Sequence, residues 1–190
     1  MGRNAAFTGD DLIQAALAII SKRGAGAVTI SAIRDELGAP TGSIYHRYGS
    51  IRHILAEAWL SAVESFQAGF LTALDGGGID GALFTPRWTR ANPLESRTLL
   101  CYRREDLVAG KWPGQVKGRA DRLGRELSAG IGEFTARHFV APSAEQRALV
   151  RFAVIDMPCA AVRPYLEAGT PVPQFIDDFI RRAYAALMKK

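Results

Sequence analysis

Between positions 41 and 52 stand Thr41, Gly42, Ser43, Tyr45, His46, Arg47, Ser50 and Arg52, a set rich in hydrogen-bonding groups and without a nucleophile paired to a base. Such a set suits recognition rather than bond making. Thr41, Ser43 and His46 can donate to or accept from base edges, and Gly42 lets a backbone come close. Tyr45, Arg47 and the amide of Ser50 suit phosphate oxygens, the last because a helix start is a ready anion site. Ile44 and Tyr48, four apart, share one face of a short helix and would pin it to a neighbour, leaving Thr41, Gly42, Ser43, Tyr45 and His46 outward.

The flanking residues predict how that helix is held. Thr29 can cap a preceding helix through its side-chain oxygen, and Ile30, Ile33 and Leu37 give that helix one apolar stripe. Gly38 stops it, and Gly38-Ala39-Pro40 supplies a tight turn, since Gly tolerates the left-handed conformation and Pro disfavours helix through Ala39. The second helix then starts near Pro40 or Thr41. The pair reads as a helix-turn-helix, whose second helix enters a major groove roughly 12 Å wide, so DNA binding is expected.

The run Gly38-Ala39-Pro40-Thr41-Gly42-Ser43-Ile44-Tyr45-His46-Arg47-Tyr48-Gly49-Ser50 resembles the signature of the TetR (tetracycline-repressor-like) family of bacterial regulators. The resemblance covers residues 7 to 60; beyond Trp59 only length and helical layout agree. It implies a homodimeric repressor released from a palindromic operator by a small-molecule effector. It implies the same allocation of base and phosphate contacts in the second helix, with Thr29 as a phosphate anchor on the other wall of the groove. The chain departs from the family's pattern twice: Ile51 stands where a lysine is usual after the position of Ser50, and Arg47 where a histidine often precedes an aromatic. Arg47 and Arg52 are expected to replace part of the missing lysine's phosphate contact.

Elsewhere the pattern is helical, and an all-α protein of about nine helices is expected. Thr8 caps a first helix from Asp10 to Arg23 with Leu12, Ile13, Ala16, Leu17 and Ile20 inward. Ser50 opens a long linking helix whose stripe reads Ile54, Leu55, Ala58, Trp59, Ala62, Phe66 and Phe70, ending near Leu74. Residues 1–50 would then be the DNA-binding unit and residues 51–190 a helical effector-binding and dimerisation unit, with the linking helix over 51–74. The glycine-rich stretch Asp75 to Asn92 lacks periodicity and reads as a mobile loop. Asn92-Pro93-Leu94-Glu95 signals a helix running to about Ala109, with Asn92 as its cap. An amphipathic helix follows to His138, with Arg119, Arg122, Arg125 and Glu126 mostly outward. Ser143 and Gln146 form a capping box for a helix to about Glu167, and a last helix occupies Pro171 to Lys190.

Two further surfaces follow. Phe152, Ala160, Phe175, Ile176, Phe179, Ile180, Ala183 and Leu187 would form a self-complementary contact between two subunits. Phe66, Phe70, Trp88, Tyr102, Trp112, Phe134 and Phe152 offer apolar walls for an effector, with Asp156 as a polar member because Pro158 should open the helix beside it.

Composition bounds these readings. The formal charge is +5, but residues 1–60 contribute only +1, while residues 87–137 hold eleven Lys and Arg against six acids, so the DNA expectation rests on the motif and not on bulk charge. Cys101 and Cys159 fall in apolar helical patterns and read as reduced structural thiols. No apolar run is long enough for a membrane span and the N-terminus lacks a signal-peptide core, so a cytoplasmic protein is expected. No cofactor or metal is called for: there is no HExxH, nucleophile elbow or phosphate loop, and His46 and His53 fall in different helices. An enzyme or small-molecule carrier that does not use DNA is the rival reading. A DNA-binding dimer without a small-molecule effector is a third.

Overall fold

The computed structural model describes residues 7–38, 41–107 and 112–189. Among them there is no strand. The helices are α1 (Gly9–Arg23), α2 (Ile30–Leu37), α3 (Thr41–Arg47), α4 (Ile51–Gly76), α5 (Gly78–Ala91) and α6 (Pro93–Cys101). They are followed by α7 (Arg104–Leu107), α8 (Gly114–His138), α9 (Ala144–Arg151), α10 (Met157–Ala168) and α11 (Phe175–Leu187). A π turn over Phe152–Asp156 joins α9 to α10 in one continuous run. Taking that run as one helix, and setting aside the single turn of α7, leaves the nine helices expected. The turn at Ala39-Pro40 and the helix end expected at Ala109 lie outside the described residues.

Local capping chemistry sets the helix starts. Thr8 accepts from the Asp11 amide at 3.2 Å while the Asp11 carboxylate takes the Thr8 amide at 2.7 Å, a reciprocal box at the head of α1. Thr29 accepts from Ala32 at 3.0 Å, Ser50 from His53 at 3.2 Å and Ser143 from Gln146 at 3.1 Å. Gly38 closes α2 at φ 64° and ψ 25°, a left-handed conformation that a Cβ would strain.

α4 runs through two cores. Its first half contributes Ile54, Ala56, Ala58 and Leu60 to a cluster with Leu12, Ala16, Leu17 and Ile20 of α1, Ile33 of α2 and Ile44 of α3. Leu107, and Val116, Ala120 and Leu123 of α8, close the same cluster. The second half of α4 contributes Phe66, Phe70 and Leu74 to a cluster with Trp88, Phe134, Val150 and Val154. A third cluster joins Ala82 and Leu83 of α5 to Val162 and Leu166 of α10 and to Ile176 and Ile180 of α11. Gln67, buried in α4, donates to the Leu123 carbonyl at 2.9 Å and ties α4 to α8.

Three expectations need correction. The stretch Asp75 to Asn92 is not a loop: α5 fills most of it, with Gly78, Gly81, Ala82, Leu83, Thr85, Pro86, Trp88 and Thr89 buried. Asp80, Arg87 and Ala91 form the one exposed stripe of α5, so the polar face is narrow and weakly marked, and the glycines and Pro86 signal a break by local rules. Its glycines are packing residues: a Cβ on Gly78 would stand 2.5 Å from the Phe134 ring, and one on Gly81 would stand 2.9 Å from a Leu74 methyl. Asn92 does not cap α6, because its side chain turns back to donate to the Trp88 carbonyl at 3.0 Å and finishes α5. The helix from Pro93 ends at Cys101, where Tyr102 adopts an extended conformation, before the short α7 begins.

Candidate nucleic-acid interface

α3 is held from one side. Ile44 is fully buried against the α1–α2 core, and Tyr48, just past the helix end, sits over the start of α1 with its hydroxyl 3.5 Å from the Gly9 carbonyl. Burial pushes the Tyr48 phenol above its ordinary range, and the Glu57 carboxylate adds to that. Tyr48 therefore stays neutral and acts as a packing residue. The opposite face of α3 is free: Tyr45 is 55% exposed, and Gly42, His46 and Arg47 are exposed beside it. The side chains of Thr41 and Ser43 lie outside the described set, although both residues belong to α3.

The surrounding groups suit a polyanion. From Gly38 to Arg52 the sequence contains no acid, and His46 and Arg47 stand in the last turn of α3. Arg52 is exposed at the head of α4. Ser50 uses its hydroxyl to cap that helix. Thr29, exposed at the start of α2, likewise uses its hydroxyl as a cap, so a phosphate there would meet the helix start as well as the side chain. Asp11, the acid whose charge is felt at Arg47, is held below the usual carboxylate range chiefly by hydrogen bonds from the Thr8 amide and hydroxyl.

The residues expected to line an effector site fall in three places. Phe66, Phe70, Trp88 and Phe134 share one core, where the Phe66 ring lies 5.5 Å from Phe70 and 5.1 Å from Trp88. Tyr102 and Trp112 pack instead against the cluster around α1, and Trp112 meets Trp59 edge-on at 5.5 Å. Phe152 is 46% exposed on the outer surface, and Asp156 is also exposed, facing Arg151 at 3.7 Å. Packing thus brings four of these eight residues together and leaves Asp156 apart from them.

The expected subunit contact also divides. Ile176 and Ile180 of α11 turn inward, while Phe175 and Phe179, 50% and 56% exposed with ring centroids 5.4 Å apart, turn outward. Ala160 is exposed on α10, and Ala183 and Leu187 are half-buried. The alternation follows from the helical period, which puts 175 and 179 on one face and 176 and 180 on the next.

Arg119, expected to turn mostly outward, pairs across two helices instead. It binds Glu57 at 2.8 Å and Glu64 at 3.0 Å, clamping α8 onto α4, while His53 stands 3.7 Å from Glu57. The signal was available in Glu57 and Glu64, seven apart and so on one face of the linking helix.

Residues 12–58 match the model of the bacterial regulatory proteins of the tetR family. No curated protein matches the sequence. The fold is similar to that of a tetR-family transcription regulator from Shewanella sp. PV-4, with 18% identity, 95% of each chain covered and a TM-score of 0.69. It is also similar to a tetR-family bacterial regulatory protein from Rhodococcus, with 16% identity, 98% of this chain and 96% of that chain covered, and a TM-score of 0.70. A third likeness is to the ketosteroid transcriptional regulator KstR2 of Mycobacterium tuberculosis, with 16% identity, 98% and 97% covered, and a TM-score of 0.64. At these identities the likeness carries the fold.

Proposed function

We propose that the chain, whose residues 12–58 match the model of the bacterial regulatory proteins of the tetR family, works as a homodimeric repressor of that family, released from a palindromic operator by a small molecule. It is a DNA-binding transcription regulator and not an enzyme. No helix among the described residues is long and apolar enough to cross a membrane. The observation that carries the reading is the two-sidedness of α3, with Ile44 fully buried behind it and Tyr45 exposed in front beside His46 and Arg47. In the proposed complex Thr41, Gly42, Ser43 and His46 meet base edges, and Thr29, Tyr45, Arg47, Ser50 and Arg52 meet phosphates.

The working units are residues 1–50 and 51–190. One short recognition helix reaches only a few base pairs, so a two-fold partner presents a second one about 34 Å away. Exposed Phe152, Phe175 and Phe179 support a subunit contact built on α10 and α11, because such large apolar groups are normally covered. An effector bound in the second unit shifts α4 and alters the separation of the two α3 helices. A coupling of about 1–3 kcal/mol gives about 5- to 150-fold weaker operator binding, so release need not be complete.

Selection of bound sequences from a random DNA pool tests the reading, run beside a protein carrying Tyr45→Ala and Arg47→Ala. The parent is expected to recover a two-fold palindrome and the variant to lose it. No enrichment at low and moderate salt would overturn the repressor reading. Sedimentation of a Phe175→Asp, Phe179→Asp protein tests the partner contact separately: monomers are expected, and an intact dimer removes α11 from it.

A further inference from the structure

Away from α3, a cleft of about 550 Å³ opens between Ser21 near the end of α1, the α5–α6 junction, and the segment joining α10 to α11. That volume is within the range of small-molecule sites. Two arginines line it and differ in what they are free to do. Arg90 is committed to the wall: its guanidinium donates to the Val172 and Pro173 carbonyls at 3.0 Å each and to the Asp177 carboxylate. Arg97 donates from Nη1 to the Leu166 carbonyl at 2.5 Å, and its Nε is buried without a hydrogen-bond partner. Among the described residues no carboxylate pairs with it.

The geometry of the guanidinium gives that difference a chemical meaning. Nη1 lies at the far end of the fork, while the Nε and Nη2 hydrogens point the same way from its side edge, spaced to meet both oxygens of one carboxylate. The protein uses Nη1, and among the described residues no acceptor meets the side edge. Buried Leu166 and Val172, with Pro171, supply apolar surface in the same cleft.

We propose that this cleft binds a small organic acid, with its carboxylate on the side edge of Arg97 and its apolar body against Leu166, Pro171 and Val172. The inference rests on the effector-controlled reading above and gives that effector a place and a chemical class. α6 connects the two working units: Leu94 packs into the cluster built around α1, while Leu100 and Cys101 pack into the cluster containing α10 and α11. An acid in the cleft touches α1 at Ser21 and the α10–α11 segment at once, so its presence bears on how the DNA-reading unit sits against the dimer helices.

The test is calorimetric titration of the full-length protein, without DNA, with octanoate and benzoate and with their amides as uncharged counterparts. Both acids are expected to bind, and each amide at least about tenfold more weakly, because it cannot match the charged edge. Arg97→Met should lose the preference for acid over amide, and Arg97→Lys should keep part of it. Gln174→Trp, which fills the exposed rim and leaves Arg97 untouched, should weaken every ligand and decides the matter if Arg97→Met does not fold. Failure of both acids to bind, acid and amide bound alike, or unaltered binding to Gln174→Trp overturns the proposal, whatever the DNA selection gives. Operator binding with and without octanoate is read separately. Acid bound in the cleft with no change on the operator keeps the site and removes effector release.

Discussion

The two halves of α4 belong to cores made by different means. Around its first half the buried partners are mostly Ile, Leu and Ala side chains from α1, α2, α3 and α8, and the helix starts there carry side-chain caps at Thr8, Thr29 and Ser50. Around its second half the partners are aromatic rings, and glycine backbones make room for them: a Cβ on Gly69 would stand 2.4 Å from Phe84, and one on Gly78 2.5 Å from Phe134. The first core is specified by local rules, one helix at a time. The second depends on mutual fit, so it should be the less forgiving of a change in volume.

Substitutions in the two cores should differ in cost. The largest effect is expected from Phe70→Ala in the aromatic core, a loss of about 3–5 kcal/mol in urea unfolding, since the ring is fully buried. A loss below about 1 kcal/mol would mean that this core collapses easily and is not a tight fit. Gly78→Leu should cost about 1–3 kcal/mol, because a side chain there must displace Phe134 and Tyr184. In the first core, Thr29→Ala removes one cap and should cost about 1 kcal/mol. It should also weaken DNA binding, and a drop in stability with unchanged DNA affinity would place the phosphate anchor elsewhere. Gly42→Ala meets nothing within 4 Å and should stabilise α3 by up to about 1 kcal/mol while reducing DNA affinity. The same kind of residue is thus spare room for a ligand in α3 and filled room in α5.

The smallest effect is expected at the head of α1 and is seen in its pH dependence. The Asp11 carboxyl is held below its ordinary value in the folded chain, so its contribution is complete above about pH 4, the unfolded value, and is lost as pH falls through the lower folded one. The difference in Tm between the parent and Asp11→Asn should therefore shrink on acidification. A difference that grows would show that Asp11 is not the acceptor holding the cap.

The contrast also accounts for what could be read without a structure. Caps at Thr8, Thr29, Ser50 and Ser143 involve groups three residues apart, and the outward face of α3 follows once Ile44 is fixed inward. α5 was illegible for the opposite reason. Gly78, Gly81 and Pro86 signal a break by local rules, and only Phe134, Leu74 and Tyr184, distant in sequence or on another helix, explain why a helix needs them. The expected effector residues show the same limit, since the size and apolar surface of Tyr102, Trp112 and Phe134 mark them as candidate walls but do not separate the cluster around α1 from the cluster around Phe70. Arg97 gave no sequence signal at all. Its significance lies in which of its nitrogens is used, which depends on the Leu166 carbonyl, sixty-nine residues away.

The π turn at Phe152–Asp156 acts as a phase adjuster for the run 144–168. Pro158 has no N–H to give to the helix, and the Met157 amide bonds to the Phe152 carbonyl five residues back, so the turn takes up about one residue more than an α turn. In an uninterrupted helix Phe152 and Ala160, eight apart, would diverge by about 80°; with one residue absorbed they subtend about two whole turns and face the same way. Both are exposed, and so is Pro164, which falls in line after one more turn. Deleting a single residue within the turn would close it to an ordinary α turn and keep Phe152 in line with the outward stripe of α10, because seven residues of α-helix also make about two turns, whereas closing the turn with no residue removed would part them by about 80°.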